Sequence, residues 1–378
     1  MPNPLLARDV RGWAQAGPNP LTAAVVAHRA AGHPLIDLVG AGLHESGLGV
    51  PEDLLRSLAA EAAPWAGRYR PDPRGQRDAR EAVAAFYARR GLPTDARDIV
   101  LTPGTSMAYL YLLRLLCNPG DEVLVPRPGY PLFDDLCVFA GVKQRFYHLA
   151  VEEGRWRLDL DDLAFQCTPR TRMVMLVSPH NPLGLVLPAP DLVAVSALCE
   201  RSAMALVFDE VFSEFVGAPL PRPPAGPLTI MLNGLSKMLS LPGLKVGWMR
   251  VSPTATPLVE ALEYASDLFL PVSEISQAMT APLLARADTL SAISAVELRR
   301  RRTIAEGALQ RPVVAADGGV YVCVPVVQDE DALALRALEA GVLVHPGHFY
   351  ALEGHLVFTC IAPEAALVEG IHRLRGVL

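Results

Sequence analysis

Three short runs in the middle of the chain are almost wholly apolar: Met173 to Val177, Ala205 to Phe208 and Thr229 to Leu232. Runs of this length between turn residues fit strands buried on both faces. Further strands are expected at Asp98 to Leu101, Glu122 to Val125 and Lys143 to Leu149. Between them, apolar positions recur with helical spacing over Asp78 to Arg90, Ser106 to Leu116 and Leu192 to Ser202. The alternation predicts an α/β fold, a mainly parallel sheet with helices on both faces. From about Leu258 the pattern changes to long helical stretches through Glu274 to Leu309, then a strand pair signalled by Gly318-Gly319 and a last helix, Pro363 to Leu374. The expected organisation is a large domain over residues 46–272 and a smaller α+β domain from 273–378, joined by the N-terminal segment 1–45.

Composition narrows the function classes. Of 378 residues only 20% are charged, and the formal net charge is −6. Such a balance has no general attraction for nucleic acid or an anionic membrane. The 34 prolines and 29 glycines are spread along the chain and mark loops, not a disordered tract. No stretch is long and apolar enough to span a bilayer, and Met1 to Asp9 has no apolar signal core. The six cysteines stand far apart without metal-ligand spacing, as reduced core thiols do, so no metal site is expected. Together these point to a cytoplasmic protein.

Chemistry gathers at the ends of the three apolar runs. The first leads into Ser178-Pro179-His180-Asn181-Pro182-Leu183-Gly184, the second into Asp209-Glu210, the third into Asn233-Gly234-Leu235-Ser236-Lys237. In open α/β sheets the carboxyl ends of parallel strands build the ligand crevice. An amide, a carboxylate and a lysine converging there suit pyridoxal phosphate, with lysine as the Schiff-base former and aspartate as partner of the pyridinium nitrogen. Pro103-Gly104-Thr105-Ser106, between a strand and a helix, reads as a phosphate cradle or as an ordinary helix cap. Asn181 reads as an aimed hydrogen-bond donor or as a turn asparagine, and Asp209 as the partner of a cofactor nitrogen or of a structural cation. Tyr130, just after a strand, is an aromatic that stacks on a planar ring or packs in a core or interface.

These motifs, in this order, resemble the class I/II aminotransferases among fold-type I pyridoxal-phosphate enzymes, over Asp37 to Leu374. The resemblance extends to a poorly characterised subgroup around that family. It implies the aspartate aminotransferase-like fold and an amino-acid or amino-acid-like amine as substrate. It implies that Lys237 holds the cofactor and acts as general base. It further implies that Asp209 pairs with the ring nitrogen, Asn181 with the ring oxygen, and that Tyr130 stacks on the ring. Gly104, Thr105, Ser106, Ser236 and Lys245 would hold the phosphate. Tyr69, in Arg68-Tyr69-Arg70-Pro71, matches a tyrosine that reaches the partner's phosphate, which implies a homodimer with shared active sites.

The chain departs from the family at three places. Phe212 stands three residues after the aspartate, where the family commonly has a tyrosine bonding the ring oxygen. Lys245 replaces an arginine at the phosphate, keeping the charge and losing the bidentate fork. In His355-Leu356-Val357-Phe358-Thr359-Cys360, Val357 takes the place of the arginine that clamps the substrate carboxylate. Candidate substitutes are His44, Arg70, Arg74 and His348, with Gly40 in the matching N-terminal loop, Gly40-Ala41-Gly42-Leu43-His44-Glu45. Besides transamination, the altered carboxylate site leaves open other chemistry of this cofactor at the α- or β-carbon: lyase, decarboxylase, cyclase or oxidase. A cofactor-binding regulator is the third reading. We expect no DNA-binding module in the stretch before Asp37, and the chain has no basic patch.

Overall fold

The computed structural model describes residues 7, 10, 13, 17–40, 42–226 and 228–378. Most of the first sixteen positions, counted above with the smaller domain, and Ala41 lie outside the described residues.

The chain runs through α1 (Pro20–Ala30), β1 (Ile36–Asp37), α2 (Glu52–Ala62), α3 (Arg77–Arg89), β2 (Ile99–Thr102), α4 (Thr105–Leu116), β3 (Glu122–Arg127) and α5 (Leu132–Ala140). There follow β4 (Lys143–Glu152), β5 (Arg155–Leu158), α6 (Leu160–Gln166), β6 (Thr171–Val177), α7 (Ala189–Arg201), β7 (Ala205–Asp209), β8 (Thr229–Gly234), α8 (Leu235–Met238) and β9 (Gly247–Val251). The last third holds α9 (Thr256–Asp267), α10 (Glu274–Leu284), α11 (Ala287–Leu309), β10 (Tyr321–Pro325), α12 (Glu330–Glu339), β11 (Val342–Leu343), β12 (His345–Pro346), β13 (His355–Thr359) and α13 (Glu364–Val377).

The main sheet has eight strands in the order β2-β9-β8-β7-β6-β3-β4-β5. Its centre, β4-β3-β6-β7-β8, is parallel, and the pairs β4-β5, β8-β9 and β9-β2 are antiparallel. Successive residues of a strand point to opposite faces, so each apolar run serves two cores at once. Val174, Leu176, Leu206, Phe208 and Met231 join one core with α3, α7 and α10. Met173, Met175, Val207, Ile230 and Leu232 join the other with α4, α5 and α9. The expected α/β architecture is therefore observed.

A third core gathers Leu21 of α1 and Leu38 after β1 with α12, α13 and the inner residues of β10 and β13. α10, expected from its place in the chain to belong with the C-terminal elements, packs Met279, Leu283 and Leu284 into the first core, against α3. The strand pair expected at Gly318-Gly319 is not a local hairpin. β10 follows the glycines but pairs antiparallel with β13, far along the chain. The glycines instead dock on other loops: the Asp317 and Gly318 N–H groups both donate to the Gly184 carbonyl, and Gly319 N–H to that of Phe215. Gly184 has a positive φ, and a Cβ there would lie 2.4 Å from the Gly318 oxygen, so contact and conformation both demand glycine. Among the described residues, no helix is long and apolar enough to cross a membrane.

Candidate active site

β6, β7 and β8 end side by side because they are paired in parallel, with Val177 opposite Asp209 and Asp209 opposite Leu232. The loops that follow therefore open at one edge of the sheet. They enclose a cavity of ≈340 Å³. Gly104, Thr105, Ser106, Tyr130, Asn181, Asp209, Ser236, Lys237 and Lys245 all line it. Nine positions spread over 140 residues of sequence are thus brought to one place.

Asp209 is buried at the floor. Its Oδ2 accepts a hydrogen bond from Tyr109 Oη at 2.7 Å, and its Oδ1 accepts one from the Val211 N–H at 3.0 Å. Burial pushes its carboxyl up to about 6, and these two donors oppose the shift. Lys237 is also largely buried, which holds its ammonium below the usual lysine range; the Asp209 charge opposes that. Tyr109 was not among the residues singled out from sequence. It stands four residues after Thr105 on α4, so the helical period alone places it on the face of the phosphate-loop residues.

The opposite end is built for an anion. Thr105 and Ser106 open the twelve-residue α4, whose first N–H groups lack partners within the helix. No side chain caps that helix, so the two hydroxyls are not spent on capping. Lys245 supplies a cation at the same cavity. β9 passes the loop closely: a Cβ on Gly247 would lie 2.9 Å from Gly104 Cα. Gly247 therefore lets β9 seat the loop.

The donor set fits pyridoxal phosphate on an observation independent of sequence. The Asn181 amide oxygen, an acceptor, is buried with no hydrogen-bond partner on a cavity that also holds a buried carboxylate and a largely buried amine, so it is open to an N–H or O–H donor of a bound ligand. Leaving such an atom unpaired costs about 1–3 kcal/mol, which a ligand removes. An amide whose N–H₂ can donate to a ring oxygen, a carboxylate for a protonated nitrogen, an amine and an anion cradle lie together.

The other sequence candidates lie elsewhere. Tyr69 is exposed on a separate surface recess beside Pro71 and Leu270. Arg70 faces the Trp65 ring at 5.6 Å, Arg74 pairs with Glu263 at 3.2 Å, and His348 pairs with Asp331 at 2.9 Å. The Gly40 carbonyl accepts from Thr359 Oγ1. The His44 N–H donates to Ser240 Oγ at 2.9 Å, which brings its loop beside the Lys237 segment without lining the cavity. Val357 is fully buried between Cys323 and His345 on the neighbouring strands, within an apolar cluster with Tyr350 and Leu352. Among the described residues, the cations lining the cavity are Lys237 and Lys245. Phe212 lines it too, and so does Tyr321 from β10, a second residue that sequence analysis passed over.

Comparison with known proteins agrees with this geometry. The model of the family described as "Aminotransferase class I and II" matches residues 39–374. The arginine–pyruvate transaminase AruH of Pseudomonas aeruginosa is 32% identical over 324 residues, 80% of each chain. The aspartate/prephenate aminotransferase of Thermus thermophilus is 29% identical over 366 residues, 91% of each. A solved structure of a Thermus thermophilus aspartate aminotransferase single mutant superposes with a TM-score of 0.86 at 28% identity, covering 99% of both chains.

Proposed function

Because the chain belongs to the class I and II aminotransferases, and is thus a pyridoxal-phosphate-dependent amino-acid aminotransferase, we propose that Lys237 is its covalent anchor and proton carrier. The observation that carries this reading is the buried pair of Lys237 and Asp209 in one cavity with Asn181. When bound, pyridoxal phosphate supplies an electron sink for the pair released as a Cα–H bond of the amine breaks. Lys237, its affinity for a proton lowered by burial, is a neutral amine for more of the time than an exposed lysine. Once freed from the cofactor, the Lys237 amine would accept the substrate's Cα proton on its Nζ and so serve as the proton carrier. Asp209, oriented by Tyr109, holds a proton on the ring nitrogen. Asn181 bonds the ring oxygen, Tyr130 covers the ring, and Gly104, Thr105, Ser106, Ser236 and Lys245 hold the phosphate. The test is to reduce the holoenzyme with borohydride and map the labelled peptide. The chain has three lysines, Lys143, Lys237 and Lys245, so the answer is unambiguous. Label on either of the others defeats the assignment.

The proposed enzyme is a cytoplasmic homodimer with shared sites and two domains. All six cysteines are free thiols, as a reducing compartment allows. Tyr69 is 85% exposed and shares a surface recess with Leu270, and Tyr264, Leu268 and Phe269 of the segment leading to Leu270 are exposed apolar side chains of the kind an interface covers. Of the described residues, the smaller domain takes the N-terminal segment with α1 and β1 and the C-terminal part, with the changeover inside α11, since α10 packs on the first core and Leu21, Leu38, Ala305 and Leu309 on the third. Sharing has a direct test. Lys237→Ala chains mixed with Tyr69→Phe chains should regain up to about a quarter of wild-type activity, because half of randomly paired dimers hold one complete site of two. No recovery, with hybrids demonstrated and each parent inactive, speaks against Tyr69 acting in the partner's site.

Substrate choice follows from Val357. A carboxylate entering a site without a guanidinium loses hydration for no charge-assisted bond. With roughly 1.5–3 kcal/mol at stake, common donors should bind about tenfold to a hundredfold more weakly than in an enzyme with the arginine. None of His44, Gly40 and Arg70 lines the cavity of this chain, so we propose that specificity has moved to the N-terminal side through the His44–Gly40 loop, which is tied to Ser240, and through Arg70, which would act beside Tyr69 in the partner's site. Steady-state rates over an amino-acid panel decide this. Efficiencies of about 10⁴ M⁻¹s⁻¹ or more with glutamate or alanine would show that another group clamps the carboxylate.

A further inference from the structure

Tyr321 is the side chain that the β10–β13 sheet sends into the cavity. It is rigidly held. The turn before it hydrogen-bonds to Gly184 and Phe215, and the buried Arg302 donates to the Gly318 and Gly319 carbonyls at 2.8 Å. Its ring meets Phe212 edge-on, at 6.3 Å between centroids, and Tyr350 at 6.1 Å. It lines the cavity together with Asn181, whose amide opposes the larger effect of burial on the phenol. Phe212, which also lines the cavity, brings no hydroxyl.

We propose that the Tyr321 hydroxyl is the second hydrogen-bond donor, with Asn181, to the ring oxygen of the bound cofactor. This rests on the cofactor placement above. Burial pushes the phenol up to about 12, so at neutral pH it keeps its proton and can donate. A donor at that oxygen draws electron density from it. The oxygen then attracts less strongly the proton on the nitrogen that links Lys237 to the cofactor. Tyr321 therefore lowers the pH at which that nitrogen loses its proton. It also couples the cofactor's electronics to the seating of the C-terminal sheet on the Asn181 loop.

The test is a pH titration of the bound cofactor's absorbance in the holoenzyme without substrate. In Tyr321→Phe the midpoint should rise by about one to two pH units, the span expected for one hydrogen bond to a charged group. Adding Phe212→Tyr to that variant should bring the midpoint back down, because a hydroxyl returns to the same cavity wall. A midpoint that does not move overturns the proposal, including where only substrate affinity falls, which would mark Tyr321 as a substrate contact. A rise that Phe212→Tyr does not reverse marks a structural effect and overturns it as well. If Tyr321→Phe does not fold or load, 3-fluorotyrosine at position 321, a stronger donor of nearly the same shape, decides. A lower midpoint supports the proposal and an unchanged one overturns it. Failure of the cofactor placement itself would look different, with no lysine-linked absorbance in the wild-type protein to titrate.

Discussion

Lys237→Ala should lose transamination by at least about 10⁴-fold, because one side chain serves as both covalent anchor and proton carrier, and proton transfer alone is worth 10²–10⁴-fold. The fold should survive. Lys237 lies in the four-residue α8, between Leu235 and Met238, which supply the buried contacts. Lys237→Arg should be no better, since a guanidinium stays protonated and cannot accept the substrate's proton. Single-turnover mixing with an amino acid, followed by absorbance, separates loss of chemistry from loss of binding. Substantial turnover in either variant would mean that the proton moves through another group.

Asp209→Asn carries the second large effect. The amide is neutral and cannot hold a proton on the ring nitrogen, so the electron sink weakens, and turnover should fall by roughly 10²–10⁴-fold while some cofactor is retained. The apoprotein offers an independent readout. Burial pushes the Asp209 carboxyl up to about 6 in the folded chain, from its ordinary value of 3.8. A raised acid contributes stability that is fully present below the unfolded value and is lost as pH rises through the folded one. Wild-type apoprotein should therefore lose up to ~3 kcal/mol from this group between about pH 4 and 6, an upper bound from a two-unit shift. Asp209→Asn should lack that slope. Urea midpoints of both apoproteins across the range measure the difference. Parallel pH profiles, or near-normal turnover in the variant, would make Asp209 a structural carboxylate.

How far the site was legible differs from residue to residue. Asn181, Asp209 and Lys237 could be found because each follows an apolar run that only a doubly covered strand explains, and parallel pairing places all three strand ends together. Thr105 and Ser106 were ambiguous as letters, since a cap and a cradle use the same residue types. The uncapped start of α4 and its position in the cavity separate the two uses. The proposed substitutes for the missing arginine were read from nearness to motifs, and nearness in sequence does not carry a side chain into a cavity. Arg74 and His348 each found a carboxylate on the surface instead.

By itself, the sequence determined the layered α/β architecture, the ends of the central strands and the kinds of group standing there. Strand period, apolar runs and helix spacing are local properties, and burial on both faces leaves little choice of arrangement. Only the tertiary structure decided that Tyr109 binds Asp209 across 100 residues, and that Tyr321 lines the cavity with Asn181 from a strand whose partner is not the next one but β13. It also decided that Val357 is sealed in an apolar cluster instead of lining the site. These contacts depend on which face of a strand looks inward and on where loops dock, through bonds such as those from residues 317 and 318 to Gly184. A linear pattern records a side chain's character, but its neighbour across the cavity is set by the packing of segments that the pattern does not order.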